Sequence, residues 1–288
     1  MMETETPPIV SIGMVIYNEE QYIREALDSL ISQDFKDFEL IISDNASLDS
    51  TQQICLDYAS RDNRIRYYRN DTNIGAIENF NRVFKLSSGK YFMWAGGHDL
   101  WSGNYISDCL EIMEKNPNVI VAYPKTIWID ENAEELNIKS GFVDTQGGWV
   151  ISRFIVIVWT NKNAIYGLIR SESLDKTKLM RRTAASDELL LAELSLFGDF
   201  AHAQKATWYR RINRKTDSKK LYIERCFSTN KKFKFRLPYW RLCYEYTDLI
   251  WKGPITLMQK LALTVCIIPS IFIKYKSNLF YDILHIFK

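Results

Sequence analysis

Phe38–Ile42 is a short apolar run that stops abruptly at Ser43-Asp44-Asn45-Ala46-Ser47-Leu48-Asp49-Ser50-Thr51. An unbroken apolar run of this length, closed by turn-forming residues, reads as a strand buried on both faces. Burial on both faces requires helices above and below, which is the layout of a mostly parallel sheet. The pattern recurs in Tyr91-Phe92-Met93-Trp94-Ala95, which ends in Gly96-Gly97-His98-Asp99. Ligands of open α/β sheets bind in the crevice at the carboxyl ends of the strands. Two strand ends therefore bring carboxylates to one crevice.

The surrounding residues alternate strand and helix signals. Ile9–Ile16 is an apolar strand, and Asn18 stands where it can cap a helix from Glu19 to about Ser32. The apolar face of that helix is Ile23, Leu27, Leu30 and Ile31. Asp49 or Ser50 opens a helix through Ala59, Arg64–Arg69 is a strand, and Gly75 to about Leu86 is a helix. Beyond Asp99 the pattern predicts a helix over Tyr105–Glu114, a strand over Val119–Tyr123 and a hairpin starting in Thr126–Asp130. It continues with an apolar helix within Gly147–Thr160, an extended Ala164–Ile169, a helix over Asp187–Phe197 and a strand over Thr207–Arg211. The expected organisation is an α/β domain over residues 1–214 and a helical region over 215–288, with Lys215–Lys220 a charged loop or linker.

The net charge of +2 conceals an asymmetry. Lys205–Lys288 holds 18 Lys and Arg against 5 Asp and Glu, while residues 1–204 hold 19 and 30. A basic, aromatic tail on an acidic body implies an anionic partner. No nucleic-acid recognition motif accompanies the charge, which argues against nucleic acid. Apolar stretches among the basic ones point to an anionic membrane surface. Leu261–Ile273 is uncharged but only 13 residues long, and it contains Pro269. A spanning helix needs about 20 apolar residues, so an interfacial or re-entrant helix, or a helical hairpin packed on the body, is expected. Met1–Pro8 lacks the basic and apolar regions of a secretory leader. The five cysteines have neither zinc nor redox spacing and read as reduced thiols. A cytoplasmic protein, peripheral on the inner face of the cell membrane, is expected.

Val10-Ser11-Ile12-Gly13-Met14-Val15-Ile16-Tyr17-Asn18-Glu19-Glu20 resembles the opening of family 2 glycosyltransferases, inverting enzymes with the GT-A fold. So do Ser29-Leu30 with Gln33, the Glu39–Thr51 segment, and Asn73-Ile74-Gly75 followed by Asn79. The resemblance covers about residues 9–211. It implies a nucleotide-diphosphate-sugar donor, UDP-sugar favoured, and a hydroxyl of a saccharide or lipid-linked acceptor. It also implies that Asp44 accepts a hydrogen bond from the base, and a crevice carboxylate is a strong acceptor for a ring N–H. Tyr17 and Glu19 fall in the turn that lines the base and ribose pocket, with Glu19 equally suited to a helix first turn and Asn18 better suited to an N-cap. Gly75 allows close backbone approach beneath the nucleotide. Asn79 reaches toward the sugar-phosphate or is a satisfied core amide.

Gly97-His98-Asp99 occupies the place where the family carries an acidic cluster that holds Mg²⁺ or Mn²⁺ against the donor phosphates. Here only Asp99 is acidic, and the resemblance makes it the metal ligand; His98 adds a nitrogen ligand or bonds a phosphate or ribose. Asp187 matches the catalytic base, with Glu188 the lesser alternative. Arg211, in Tyr209-Arg210-Arg211, matches the short basic segment that faces the pyrophosphate. The processive-synthase signature is absent, so one sugar per encounter is expected. Gln146–Thr160, with Trp149, Arg153 and Trp159, is the expected acceptor side. The rival readings are a catalytically silent relative, prompted by the incomplete acidic cluster, and a nucleotidyltransferase. The latter wants a Gly-rich basic loop after the first strand, and Met14–Glu20 contains none.

Overall fold

The computed structural model describes residues 6–160, 162–212 and 237–284, so the expected linker Lys215–Lys220 lies outside the described residues. The first unit runs β1 (Val10–Ile16), α1 (Ile23–Ile31), β2 (Phe38–Asp44), α2 (Thr51–Arg61), β3 (Ile65–Arg69), α3 (Ala76–Lys85) and β4 (Tyr91–Gly96). There follow β5 (Leu100–Trp101), α4 (Tyr105–Lys115), β6 (Val119–Ile129), α5 (Val150–Trp159), a 3₁₀ turn at Lys162–Tyr166 and β7 (Leu168–Arg170). Next come α6 (Ser171–Asp175), α7 (Ser186–Leu194), β8 (Asp199–Arg211), α8 (Pro238–Lys252) and α9 (Leu257–Leu284). The strands form one sheet in the order β3-β2-β1-β4-β7-β6-β8-β5. β1 to β4 are mutually parallel, β6 and β8 are parallel to each other, and β7 and β5 run antiparallel to their neighbours.

The apolar runs are continuous because alternate residues feed two cores. Val10, Ile12, Met14, Leu40 and Ile42 pack with Ile23, Leu27 and Leu30 of α1, Cys55 of α2 and Ile106 of α4. Ile41, Phe92 and Trp94 point the other way, onto Val83 and Phe84 of α3 and Leu190, Leu191 and Leu194 of α7. Gly13 faces this second core because a Cβ there would come within 2.6 Å of the Phe92 ring. A third cluster seats the carboxyl-terminal helices: Phe154, Val158, Leu189 and Ala192 meet Leu242, Tyr246 and Leu249 of α8 and Leu263, Ile267 and Ile271 of α9. The spacing of four along α9 buries one stripe. Val265, Ile268, Phe272 and Ile273 of the same helix are exposed. By length and composition α9 could cross a membrane, and 17% of its most apolar window is buried.

Four sequence expectations are corrected. The Val119–Tyr123 strand runs on to Ile129 as β6, because the Pro124/Lys125 irregularity in its pairing with β8 shifts the register without ending the strand. The hairpin expected from Thr126–Asp130 is present, with Ile129 bridged antiparallel to Glu135. Ala164–Ile169 is divided between the 3₁₀ turn and β7, and the Thr207–Arg211 strand is the end of the longer β8. Asn18 caps no helix. It has φ 54°, its Oδ1 accepts the Leu48 N–H at 2.8 Å, and α1 starts only after a turn closed by Glu19.

Candidate active site

The parallel register aligns Ile16 with Asp44 and Val15 with Gly96, so the loops after β1, β2 and β4 meet at one crest. Backbone donors lock them together. Asn18 N–H reaches Ser47 Oγ at 3.0 Å, Glu19 N–H reaches Thr51 Oγ1 at 2.8 Å, and Ser47 N–H reaches Asp44 Oδ1 at 2.8 Å. Ala46 takes a left-handed φ of 63° in this turn. Asp44 is fully buried, and its Oδ2 accepts from Tyr67 Oη at 2.7 Å and Arg69 Nη1 at 2.9 Å. It anchors the crest through three hydrogen bonds. Asn79 is the satisfied core amide: its Oδ1 accepts from Ser43 Oγ and Asn70 Nδ2, and its Nδ2 donates to the Ser43 carbonyl. The side chain is 2% exposed, in keeping with the core-amide alternative. Gly75 has φ 87°, which accounts for glycine immediately before α3. Tyr17 keeps an exposed ring at the end of β1.

Glu19 reaches across to the loop after β4. Its Oε1 lies 3.0 Å from His98 Nδ1, and His98 Nε2 lies 4.0 Å from Asp99 Oδ1. Gly97 makes this possible, because a Cβ there would sit 2.8 Å from Glu19 Cγ and 2.9 Å from Ile16 Cγ2. Burial opposes charge on His98, but Asp99 and Glu19 outweigh it and raise the imidazole to about 9. The ring is therefore an imidazolium at neutral pH. Burial pushes the Asp99 carboxyl above its ordinary range, against the pull of His98, the Arg211 N–H and Arg210.

The two arginines at the end of β8 face opposite ways, as neighbours in a strand must. Arg211 is turned inward. Its Nε donates to the His98 carbonyl, Nη1 to the carbonyls of Asp130 and Glu131, and Nη2 to Glu25 Oε2, with the guanidinium 4.4 Å from the Tyr22 ring. Four of its five N–H donors are taken and its side chain is 1% exposed, so in this structure it braces the loop after β4. Arg210 is the partly exposed one. Its guanidinium lies over Trp128 at 4.6 Å and Trp208 at 5.4 Å, donates to Asn163 Oδ1, and is close enough to act on the charges of His98 and Asp99.

Asp187 occupies the first turn of α7, partly buried, with Oδ1 accepting the Glu188 N–H at 2.9 Å. The charge of this turn acts on Tyr166 together with that of Asp99. Burial raises its hydroxyl, the charges of Asp99 and Asp187 add to the rise, and Arg210 opposes it. The 3₁₀ turn places Tyr166 there, stacked on Trp208 with ring centroids 4.6 Å apart. Arg153 is withdrawn from the acceptor side, because it bonds the Ser195 carbonyl and Asp199 Oδ1. Trp149 and Trp159 remain exposed.

Residues 11–171 match the model of the Glycos_transf_2 family, described as glycosyl transferase family 2. The chain belongs to glycosyl transferase family 2. Relatives of this chain include an uncharacterized glycosyltransferase of Methanocaldococcus jannaschii, 30% identical over 131 residues, or 45% of each chain. Another, from Rickettsia typhi, is 31% identical over 137 residues, covering 47% of this chain and 42% of that one. The matched region is thus less than half the length of these relatives. Among solved structures, S. aureus TarS residues 1–349 in complex with UDP has a TM-score of 0.66 at 16% identity, over 93% of this chain and 73% of that one. The mannosyltransferase PcManGT from Pyrobaculum calidifontis, in complex with GDP-Man and Mn²⁺, has a TM-score of 0.56 at 13% identity, over 96% and 85%. These likenesses establish the GT-A fold.

The glycosyltransferase has, among its described residues, no cluster of three or more His, Cys, Asp or Glu side chains that would hold an ion alone. Asp99 Oδ1 accepts the Arg211 N–H at 2.9 Å, and Oδ2 has no hydrogen-bond donor among the described residues. His98 Nδ1 is engaged by Glu19, and Nε2 lies 4.0 Å from Asp99 Oδ1. One carboxylate oxygen fits a hard divalent cation that takes its remaining ligands from substrate phosphates and water. Sequence reasoning missed the Glu19–His98 pair, Arg210 and Tyr166. Only the adjacency of Arg210 to Arg211 carried a signal, since strand parity forces one of the two outward.

Proposed function

We propose that this protein is an inverting glycosyltransferase that moves one sugar from a nucleotide-diphosphate sugar, UDP-sugar favoured, to a hydroxyl of a saccharide or lipid-linked acceptor. The observation that carries the reading is the meeting of the loops after β1, β2 and β4 at the carboxyl ends of the strands, where Glu19 Oε1 lies 3.0 Å from His98 Nδ1 and Asp99 stands beside it. The acceptor oxygen attacks the anomeric carbon while the bond from that carbon to the β-phosphate oxygen breaks. The nucleoside diphosphate leaves with the bonding electron pair, and Asp187 takes the hydroxyl proton. Arg210 and the His98 imidazolium face the charge that develops on the leaving group. Asp44 shapes the base side by holding Tyr67, Arg69 and the turn to Ser47, with the exposed Tyr17 ring beside it. Asp99 would hold Mg²⁺ or Mn²⁺, which supplies further positive charge at the diphosphate.

The exposed apolar stripe of α9, flanked by Lys260 and Lys276, supports a peripheral seat on the inner face of the cell membrane. That seat suits a lipid-linked acceptor. Calorimetric titration of UDP and GDP, with and without Mn²⁺, on wild type and Asp99→Ala tests the donor site. Mn²⁺-dependent UDP binding that Asp99→Ala loses is the expected result. Absence of binding of either nucleotide to wild type refutes the donor assignment.

A further inference from the structure

Glu188, the residue after Asp187, is 1% exposed and collects three helices. Its Oε1 accepts from Tyr246 Oη of α8 at 2.7 Å. Its Oε2 accepts from Lys274 Nζ and Tyr275 Oη of α9, each at 2.8 Å. Lys274 Nζ also donates to the Val158 carbonyl at the end of α5. Packing alone does not need this arrangement, because apolar residues hold helices together at least as well as a buried ion pair. A buried, fully bonded pair does fix direction and register.

Two backbone features coincide with it. Within α9, Tyr275 departs from helical geometry (φ −115°, ψ 17°), so the helix bends where it reaches Glu188. Helix α7 starts from Ala185 in the left-handed region (φ 51°, ψ 46°). A non-glycine residue there is strained and persists only where its surroundings hold it. Burial and the charge of Glu188 raise the hydroxyls of Tyr246 and Tyr275, so both remain donors.

We propose that Lys274 and Tyr275 of α9, with Tyr246 of α8, are positioning residues for sugar transfer. They grip Glu188, fix the first turn of α7, and so aim the Asp187 carboxylate at the acceptor hydroxyl. The catalytic half of this proposal rests on the reading of Asp187 as the base. The structural half does not.

The test uses the full chain and four variants: Tyr275→Phe, Tyr246→Phe, the charge-free pair Glu188→Gln with Lys274→Met, and Asp187→Asn. The first readout is hydrogen–deuterium exchange at Leu189–Leu191, which needs neither donor nor activity. Exchange at least tenfold faster in Tyr275→Phe and in the paired variant, with β1 and β4 unchanged, is expected. The second readout is UDP release from UDP-GlcNAc with water as acceptor, together with UDP affinity. A fall of at least tenfold in kcat with UDP affinity within twofold of wild type is expected, a split that mere loss of folding would not produce. Unchanged exchange at Leu189–Leu191 overturns the positioning role. Altered exchange with unchanged kcat overturns its link to transfer. An Asp187→Asn variant as fast as wild type refutes the base assignment while leaving the exchange result standing. Should the paired variant fail to fold, the two Tyr→Phe variants decide, since each removes a single hydroxyl.

Discussion

Replacing Arg211 by alanine removes a side chain that is 1% exposed and bonded through Nε, Nη1 and Nη2. The Glu25 carboxylate it pairs with is 53% exposed, so solvent recovers most of that interaction. The carbonyls of Asp130 and Glu131 lie in a turn open to water and rehydrate. The His98 carbonyl loses its charged donor, which costs about 1–3 kcal/mol. Lost contact with the Tyr22 ring adds about 1 kcal/mol. The expected loss is about 3 kcal/mol, or a fall in Tm of roughly 6–12 °C for a chain of this size. Arg210→Ala removes one hydrogen bond and two ring contacts from a partly exposed guanidinium, at a cost of about 1 kcal/mol. Its sugar-transfer rate is expected to fall about 10²-fold, as when one preorganised donor is removed from a developing anion. Thermal unfolding and UDP release on both variants give the comparison. A wild-type Tm in Arg211→Ala, or wild-type turnover in Arg210→Ala, refutes the assignment of the two strand faces.

His98 carries a folded-state pKa raised to about 9, so its contribution to stability is complete below about pH 6.5 and is lost as pH climbs through 9. The urea midpoint of wild type should fall across that window more than that of His98→Gln; equal slopes would contradict the Glu19–His98–Asp99 arrangement. Gly97→Ala places a Cβ 2.8 Å from Glu19 Cγ. A cost of about 1–3 kcal/mol and weaker UDP binding by calorimetry are expected, and an unaltered variant would show that the loop yields freely. Arg181 lies between the buried carboxylates of Glu193 at 2.6 Å and Glu245 at 3.2 Å. Arg181→Ala leaves both without it and should cost about 3–5 kcal/mol by denaturant titration, a loss that an unmoved midpoint would disprove.

The strands of the first half were legible because burial on both faces leaves an unbroken apolar run, and each run ended where polar residues had to begin. Asp44, Asp99 and Asp187 could be placed on the crest or a helix start for the same reason. Their neighbours could not. Choosing Arg210 over Arg211 required knowing which face of β8 turns inward, and that strand begins eight residues before the predicted one. Glu19 and His98 are 79 positions apart and meet only because Gly97 lacks a side chain. Pro124 reads as a strand breaker in sequence, yet the pairing of β6 with β8 carries the strand through it. Arg153 reads as a free cation until Asp199 is brought to it by the fold.

The order of the sheet also determines how the protein meets copies of itself. One margin is β3, which carries Arg66, 44% exposed at its side chain, on one face and Arg69 on the other. The other is β5, only two residues long. Charged or very short borders are poor templates for an incoming strand. Self-association by strand addition is therefore discouraged at both ends of the sheet, and the apolar surface that solvent must be kept from lies on helices, chiefly α9.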